Sequence, residues 1–354
     1  MTPRINVGIL GASGYGAGEL LRLLTQHPYT RVIGATSTSR GGERIDELHR
    51  HLRGFYTFTT TGDLDFAPLG DADHAVVFSA LPHAASSAAI AALLDRVAQS
   101  PLASKLHVID LSGDLRIADS ASHQRYYPET PAGSPWRGRF AYGLPEVNRK
   151  AIAAARHIAN PGCLATAAIL AAAPLASGDF RGPIVIDAKT GSSGSGRQLK
   201  ETTHHPTRHA DFRAYKPLAH QHEGEILQAW GDPRGERIAL SFVAQSMDTS
   251  RGIFVTAHLS AAEPIEAAAL RERFTMFYLQ CPFVRVVDDT PTLQDVVGSN
   301  FCDIAVAARG RQIITMAAID NLVKGMAGAA IQNMNILCGL PETTGLWMPS
   351  LRPV

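Results

Sequence analysis

Ile5-Asn6-Val7-Gly8-Ile9-Leu10 is a short, mostly apolar run that opens into Gly11-Ala12-Ser13-Gly14-Tyr15-Gly16-Ala17-Gly18, and Glu19-Leu20-Leu21-Arg22-Leu23-Leu24 comes next with helical spacing. Strand, glycine-rich turn and helix in that order commit the start of the chain to a βα unit. Glycines let the backbone approach a pyrophosphate, and the helix start supplies N–H donors and the positive end of its dipole. Glycines alone would serve equally for a tight turn; the strand before and the helix after favour a dinucleotide site. Gly11, Ser13, Gly14, Tyr15 and Gly16 are its expected contacts.

The second strand, Arg31–Thr36, indicates which dinucleotide. An NAD site places Asp or Glu near the end of this strand to hold the ribose 2′-hydroxyl. Here Ser37-Thr38-Ser39-Arg40 stands instead, two kinds of hydroxyl and a cation, which suits a 2′-phosphate. Ser37, Ser39, Arg40 and the following Gly41 are therefore assigned to NADP. Strands at Ala75–Phe78 and His107–Asp110, with a helical stretch 84–98 between them, extend the pattern to a Rossmann-type doubly wound, largely parallel sheet. Ser79–His83 closes one strand at its carboxyl end, either as a cleft lining or as a structural turn.

Hydrophobic residues make up 45% of the 354 and charged residues 18%, the profile of a globular protein long enough for two cores. A net charge of +1 gives no electrostatic support to nucleic-acid binding. Cys163, Cys281, Cys302 and Cys338 are widely spaced, with no CxxC pair, which argues against zinc and disulfide frameworks and for a reducing compartment. The chain begins Met-Thr-Pro-Arg and runs straight into a strand, with no signal-peptide pattern, and its longest apolar run, 163–176, is too short for a bilayer. A cytoplasmic protein with no membrane partner is expected.

The chemistry concentrates in the middle. Asn160-Pro161-Gly162 forces a turn, Cys163 stands next, and an alanine-rich apolar segment comes after it. A cysteine between a turn and a helix lies at the helix N-terminus, where unpaired N–H groups favour thiolate and make it a nucleophile. Elsewhere such a cysteine would simply be a small buried hydrophobe. A strand at Ile184–Ala188 leads into Lys189-Thr190-Gly191-Ser192-Ser193-Gly194-Ser195-Gly196-Arg197, too short for a linker and read as a loop that offers amides and hydroxyls to an anion. Ser193, Gly194 and Arg197, with Arg213, are candidates for holding the substrate's phosphate or carboxylate. His204, His205, His209, His220 and His222 do not form a ligand set, so no metal is expected. His220-Gln221-His222, with Glu223 and Glu225 behind it, instead fits an acid–base imidazole oriented by a carboxylate. His222 is the preferred acid–base and His220 the second; one residue apart, they are not separable from sequence.

The remainder reads as α+β with antiparallel strands: strands near 238–244 and 252–259, a helix near 264–279, strands near 301–308 and 311–318, and a long helix at 329–337. That gives a division into 1–160, a cofactor domain, and 161–320, a catalytic and oligomerising domain.

Taken with Gly-Ala-Ser-Gly-Tyr-Gly at the N-terminus, Asn160-Pro161-Gly162-Cys163 resembles the N-acetyl-γ-glutamyl-phosphate reductases, a branch of the aspartate-semialdehyde-dehydrogenase-like oxidoreductases. Ser193-Gly194-Ser195-Gly196-Arg197, Arg213-Ala214-Tyr215-Lys216, His220-Gln221-His222, Asp320–Gly325 and Pro341–Leu346 match in order along nearly the whole chain. The resemblance implies NADPH-dependent reduction of a small acyl phosphate to a semialdehyde in arginine biosynthesis, Asn321 at the cofactor, a C-terminal helix within 321–354 that returns to complete the cofactor domain, and a homo-oligomer, dimer or tetramer. Two stretches differ. Ala219-His220-Gln221-His222 stands where the family commonly has Gly-His-Arg-His, and Thr203-His204-His205-Pro206 is closer to sister enzymes of lysine biosynthesis. Those reduce an aminoadipyl phosphate carried on a small acidic amino-group carrier protein, for which Lys200, Arg208, Arg213 and Lys216 would form a basic rim. A third alternative is an NADP-binding redox regulator that has lost activity.

Overall fold

A computed structural model describes residues 3–130, 133–176 and 181–353. The chain divides into two compact units: residues 1–161 with 326–347, and residues 162–325 with 348–354. The expected division kept 321–354 together with the first domain. In the structure 321–325 and 348–354 group with the second unit, because Asp320 binds the amides of Leu322 and Val323, and Leu351 N donates to Val297 O at 2.8 Å.

The first unit is built on six parallel strands in the order β2-β1-β3-β4-β6-β5: β1 (Ile5–Leu10), β2 (Thr30–Thr36), β3 (His74–Ser79), β4 (Leu106–Asp110), β5 (Ala141–Tyr142) and β6 (His157–Ala159). Every residue of β1 is buried, the continuous apolar run that a strand covered on both faces requires. Connecting helices are α1 (Tyr15–Leu24), α2 (Ile45–Leu48), α3 (Ser86–Val97), α4 (Ser120–Tyr126) and α5 (Pro145–Ala154). Val77, Val108, Ile90, Leu93 and Leu94 form part of a core between sheet and helix α3. Stretch 112–148, read from its aromatics as a packed connection, holds α4 capped by Asp119, whose side chain accepts from Ser122 N at 2.8 Å.

Helix α10 (Gly328–Leu337) completes this unit and packs against α5 and α1. Its buried side includes three amides. Gln332 Nε2 donates to Glu146 Oε1 at 3.1 Å and Glu342 Oε2 at 2.8 Å. Asn333 Nδ2 donates to Gly143 O at 2.8 Å and Asn160 Oδ1 at 3.2 Å. Asn335 Nδ2 donates to Thr344 O at 2.9 Å, and its Oδ1 lies 2.9 Å from His27 Nε2.

The second unit is a seven-stranded sheet in the order β11-β12-β13-β10-β7-β9-β8, formed by β7 (Ile184–Thr190), β8 (Arg213–Tyr215), β9 (Leu240–Ser246), β10 (Ile253–Ser260), β11 (Val284–Val286), β12 (Cys302–Arg309) and β13 (Gln312–Ile319). Its β10–β13 and β12–β13 pairs are antiparallel, as expected of this region, while β7–β9 and β11–β12 are parallel. Burial alternates with period two along β7 and β10, so one face is covered and the other half-open. Helices α6 (Cys163–Ala172) and α9 (Ala267–Phe277) cover it; α7 (His205–Arg208) and α8 (His222–Ala229) lie nearer the β8 edge in sequence. Alanine and leucine sustain α6, and its α-helical geometry stops where Pro174 enters a 3₁₀ turn.

Asn333 tests the dependence of the first unit on α10. Asn333→Leu leaves Gly143 O and Asn160 Oδ1 without this donor in the interior, which costs about 2–4 kcal/mol. The expected result is a clear fall in the urea midpoint, with no compensating gain from the added apolar volume.

Candidate active site

Gly162 is extended (φ −71°, ψ 144°) and caps α6, which places Cys163 at the first helical position with a half-buried thiol in no disulfide. Two contacts fix this corner. Gly162 N–H donates to Glu225 Oε2 at 2.8 Å, a carboxylate buried completely beneath the helix start. Gly325 lies so close that a Cβ on it would stand 2.7 Å from Cys163 Cβ, so glycine is required there.

Helix α8 places His222 and Glu225 one turn apart, and His222 Nε2 lies 3.8 Å from Glu225 Oε1. One carboxylate therefore faces the imidazole with one oxygen and holds the amide next to the cysteine with the other. His220 has a different setting. Its Nδ1 accepts His222 N–H at 3.1 Å, and its ring is enclosed by Tyr215, His222 and Phe242, with centroids 5.7, 4.7 and 5.4 Å away. Burial first, then repulsion from His222 and Lys216, pushes His220 down to about 2 against a small opposing effect of Glu225. It is neutral at any assay pH. Tyr215 carries no sequence signal of its own beyond the Arg213–Lys216 motif; burial and then the Cys163 charge hold its phenol protonated well above the ordinary tyrosine range.

All the cofactor candidates except Asn321 lie in the first unit. Gly11 has φ +87°, and a Cβ on it would stand 2.9 Å from the Ala80 carbonyl. A Cβ on Gly14, the α1 cap, would meet no atom within 4 Å, so the front of the helix is open. Ser13, Tyr15 and Gly16 complete that rim, where first-turn amides have no intrahelical partner. At the end of β2, Ser37 Oγ accepts Arg40 N–H at 3.1 Å, while Ser39, Arg40 and Gly41 are exposed. Arg40 Nε pairs with Glu43 Oε1 at 3.1 Å, a carboxylate just beyond the strand-end residues that suggested the 2′-phosphate. Ser79, read as cleft lining or turn, bonds Ser86 Oγ at 2.6 Å, which in turn donates to the buried Asp110 at 2.6 Å.

The glycine–serine loop uses several of its backbone amides within the protein. The amides of Gly191, Ser192 and Ser193 donate to Gly252 O, Thr249 O and Ser250 O at 2.9–3.0 Å, and Gly194 N–H to Gly191 O. These donors fasten the loop to the 249–252 turn and are not directed at an anion. Ser193 Oγ accepts from Asn321 Nδ2 at 2.9 Å, and Asn321 Oδ1 accepts Gly252 N–H at 2.8 Å, so Asn321, assigned to the cofactor from sequence, lies buried in the second unit. Arg197 is exposed. Arg213 Nη2 donates to Thr202 O at 2.6 Å, and its Nη1 stands 3.4 Å from Asp211. Of the residues expected to form a basic rim for a carrier protein, Arg208 is buried on Ser246 Oγ and Met247 O, whereas Lys200 and Lys216 are exposed, with Lys216 Nζ donating to Gln221 at 3.2 Å. Among the described residues no cluster of three or more His, Cys, Asp or Glu could hold a metal, and no helix is long and apolar enough to cross a membrane.

Buried imidazoles make a pH prediction. His123 and His157 are each pushed down to about 4, and His220 to about 2, by burial above all. Each protonates near 6.5 once unfolded, so unfolding takes up protons and stability falls as pH drops below 6.5, at up to about 1.4 kcal/mol per pH unit per imidazole. Above 6.5 this effect vanishes. Urea unfolding from pH 8 to 4.5 should show that slope, and His220→Gln should lessen it by one proton's share.

Residues 6–155 match the family model described as the semialdehyde dehydrogenase NAD-binding domain, and residues 163–321 the semialdehyde dehydrogenase dimerisation domain. An N-acetyl-gamma-glutamyl-phosphate reductase of Methanosarcina acetivorans is 41% identical over 351 residues, 99% of this chain and 100% of the relative. One from Archaeoglobus fulgidus is 38% identical over 354 residues with the same coverage. Aspartate semialdehyde dehydrogenase II of Vibrio cholerae shares the fold at TM-score 0.63 and 17% identity, over 95% of this chain and 98% of that one. The Candida albicans aspartate semialdehyde dehydrogenase solved with NADP does so at TM-score 0.63 and 15% identity, with equal coverage. The cysteine at a helix start, the buried carboxylate and the glycine-rich turn thus stand in a chain that belongs to the N-acetyl-γ-glutamyl-phosphate reductase family of semialdehyde dehydrogenases.

Proposed function

We propose that this enzyme reduces N-acetyl-γ-glutamyl phosphate to N-acetylglutamate semialdehyde with NADPH, in the cytoplasm, through a thioester on Cys163. The observation that supports it most is the buried Glu225 carboxylate, which joins the start of α6 to His222. His222 takes the thiol proton, with Glu225 orienting the imidazole and stabilising its charge. The Cys163 sulfur attacks the acyl carbon, the carbon–oxygen bond to phosphate breaks, and His222 returns the proton to the departing phosphate. His220, neutral, fixes the backbone of His222 and takes no proton.

The first unit's residues fit a dinucleotide. Gly11 has no room for a side chain, and the space before Gly14 is clear. Gly11, Ser13, Gly14, Tyr15 and Gly16 would hold the pyrophosphate, and Ser37, Ser39, Arg40 and Gly41 the 2′-phosphate. When bound, NADPH supplies the hydride that reduces the thioester. The carbon–sulfur bond then breaks, giving aldehyde and regenerated thiolate, which the α6 N-terminus stabilises. Ser193, Gly194, Arg197 and Arg213 are the proposed substrate-side residues, and Asn321 is a proposed cofactor contact. The dimerisation-domain match supports a homo-oligomer, with a second copy covering the half-open sheet face around Phe254, Thr256 and Met316.

Cys163→Ser should lower turnover by about three orders of magnitude with the Kd for NADPH unchanged in a fluorescence titration. Arg40→Ala should raise KM for NADPH about tenfold and leave kcat nearly intact, reducing the preference over NADH. In the reverse direction, N-acetylglutamate semialdehyde with phosphate and NADP should reach a kcat/KM of at least ~10⁴ M⁻¹s⁻¹. A value far below that would transfer the assignment to the carrier-linked substrate, and no turnover at all to a regulator.

A further inference from the structure

Strand β13 ends at Ile319, and one carboxylate, that of Asp320, shapes the turn beyond it. Asp320 is fully buried. Its Oδ1 accepts Leu322 N–H at 2.7 Å and Val323 N–H at 3.0 Å, and its Oδ2 accepts Gly298 N–H at 2.7 Å. Arg251 adds two charge-assisted bonds, Nη2 to Oδ1 at 3.1 Å and Nε to Oδ2 at 3.0 Å. Held this way, the backbone makes one wide turn of π-helix over Val323–Ala327, with Gly325 N–H donating to Asp320 O at 2.9 Å. The turn is anchored on both sides: Asn321 ties to Gly252 and Ser193, and Lys324 is completely buried with its ammonium 5.8 Å from the Phe283 ring centre. What it presents is Gly325, whose missing Cβ would stand 2.7 Å from Cys163 Cβ and 3.2 Å from Cys163 Cα.

We infer that Asp320, clamped by Arg251, is a positioning residue for Cys163: the ion pair sets the wide turn, and the turn, through Gly325, sets where the cysteine sits against the first amides of α6. The inference rests on Cys163 being the nucleophile. A buried ion pair contributes little net stability and is better suited to fixing one geometry. Movement of the turn by a few tenths of an ångström transmits directly, because no side chain lies between it and the cysteine backbone.

The test is alkylation of Cys163 by iodoacetamide in the full-length protein, without substrate, read by peptide mass spectrometry from pH 5 to 9. Asp320→Asn places an amide donor against existing donors, and Gly325→Ala forces a Cβ onto the cysteine. Both should slow alkylation at pH 7 about tenfold and raise the midpoint of its pH profile. Arg251→Lys, which keeps a charge, should lie between them and wild type. Asp303→Asn breaks a comparable ion pair, with Arg285 on β11 and β12, and should alkylate as wild type does. Wild-type rates and midpoints for both Asp320→Asn and Gly325→Ala would overturn the inference, as would an equal shift in Asp303→Asn. Should Asp320→Asn not fold, Gly325→Ala decides alone. No substrate enters this measurement, so its failure is distinct from failure of the proposed turnover.

Discussion

A carboxylate with no access to water is the constraint on which the candidate site depends. Glu225 is buried completely, and burial of a charge is costly unless donors surround it. One of its donors is the N–H of Gly162, the residue before the helix that begins with Cys163. The same carboxylate faces His222. Helix start and imidazole therefore share one anion, and neither can shift without affecting the other. The neighbouring histidine, by contrast, is closed in by aromatic rings and uses its Nδ1 on backbone, which leaves it a structural neutral group in a motif where two imidazoles look alike.

Much of this is legible in sequence where the cause is local. The glycine turn after β1 is readable because backbone sterics act over a few residues, and Gly11 shows the expected left-handed geometry. Cys163 at a helix start is the outcome of Asn160-Pro161-Gly162 standing before alanines and leucines. Glu225 one turn from His222 is likewise a matter of helical spacing. The features that sequence hides depend on partners distant in the chain. The amides of Gly191–Ser193 look available for an anion until the 249–252 turn is brought beside them. Arg208 looks like surface charge until it is buried against Ser246 and Met247. Parallel pairing of β7 with β9 leaves no sign in either strand's alternation.

The glycine-rich turn after β1 illustrates how one residue type serves different ends within eight positions. Gly11 is forced by backbone conformation and by Ala80; Gly16 and Gly18 would drive a Cβ into Met326 and His49. Gly14 alone faces empty space. Three glycines are thus explained by the protein itself, while the space in front of the fourth is open. That contrast separates a glycine fixed by packing from one that packing does not require.

Connectivity has a consequence for how the molecule is made. The first unit consists of 1–161 and 326–347, so a ribosome delivers all six strands of its sheet, then residues 162–325 of the second unit, and only afterwards the helix that bonds Gly143 and Glu146. At typical synthesis rates the sheet stands without that helix for on the order of ten seconds. The nascent N-terminal half is therefore an unfinished structure with an uncovered flank, while the second unit is complete but for its last short segment. Vectorial folding of this chain should run middle first, with closure of the N-terminal sheet as its late step.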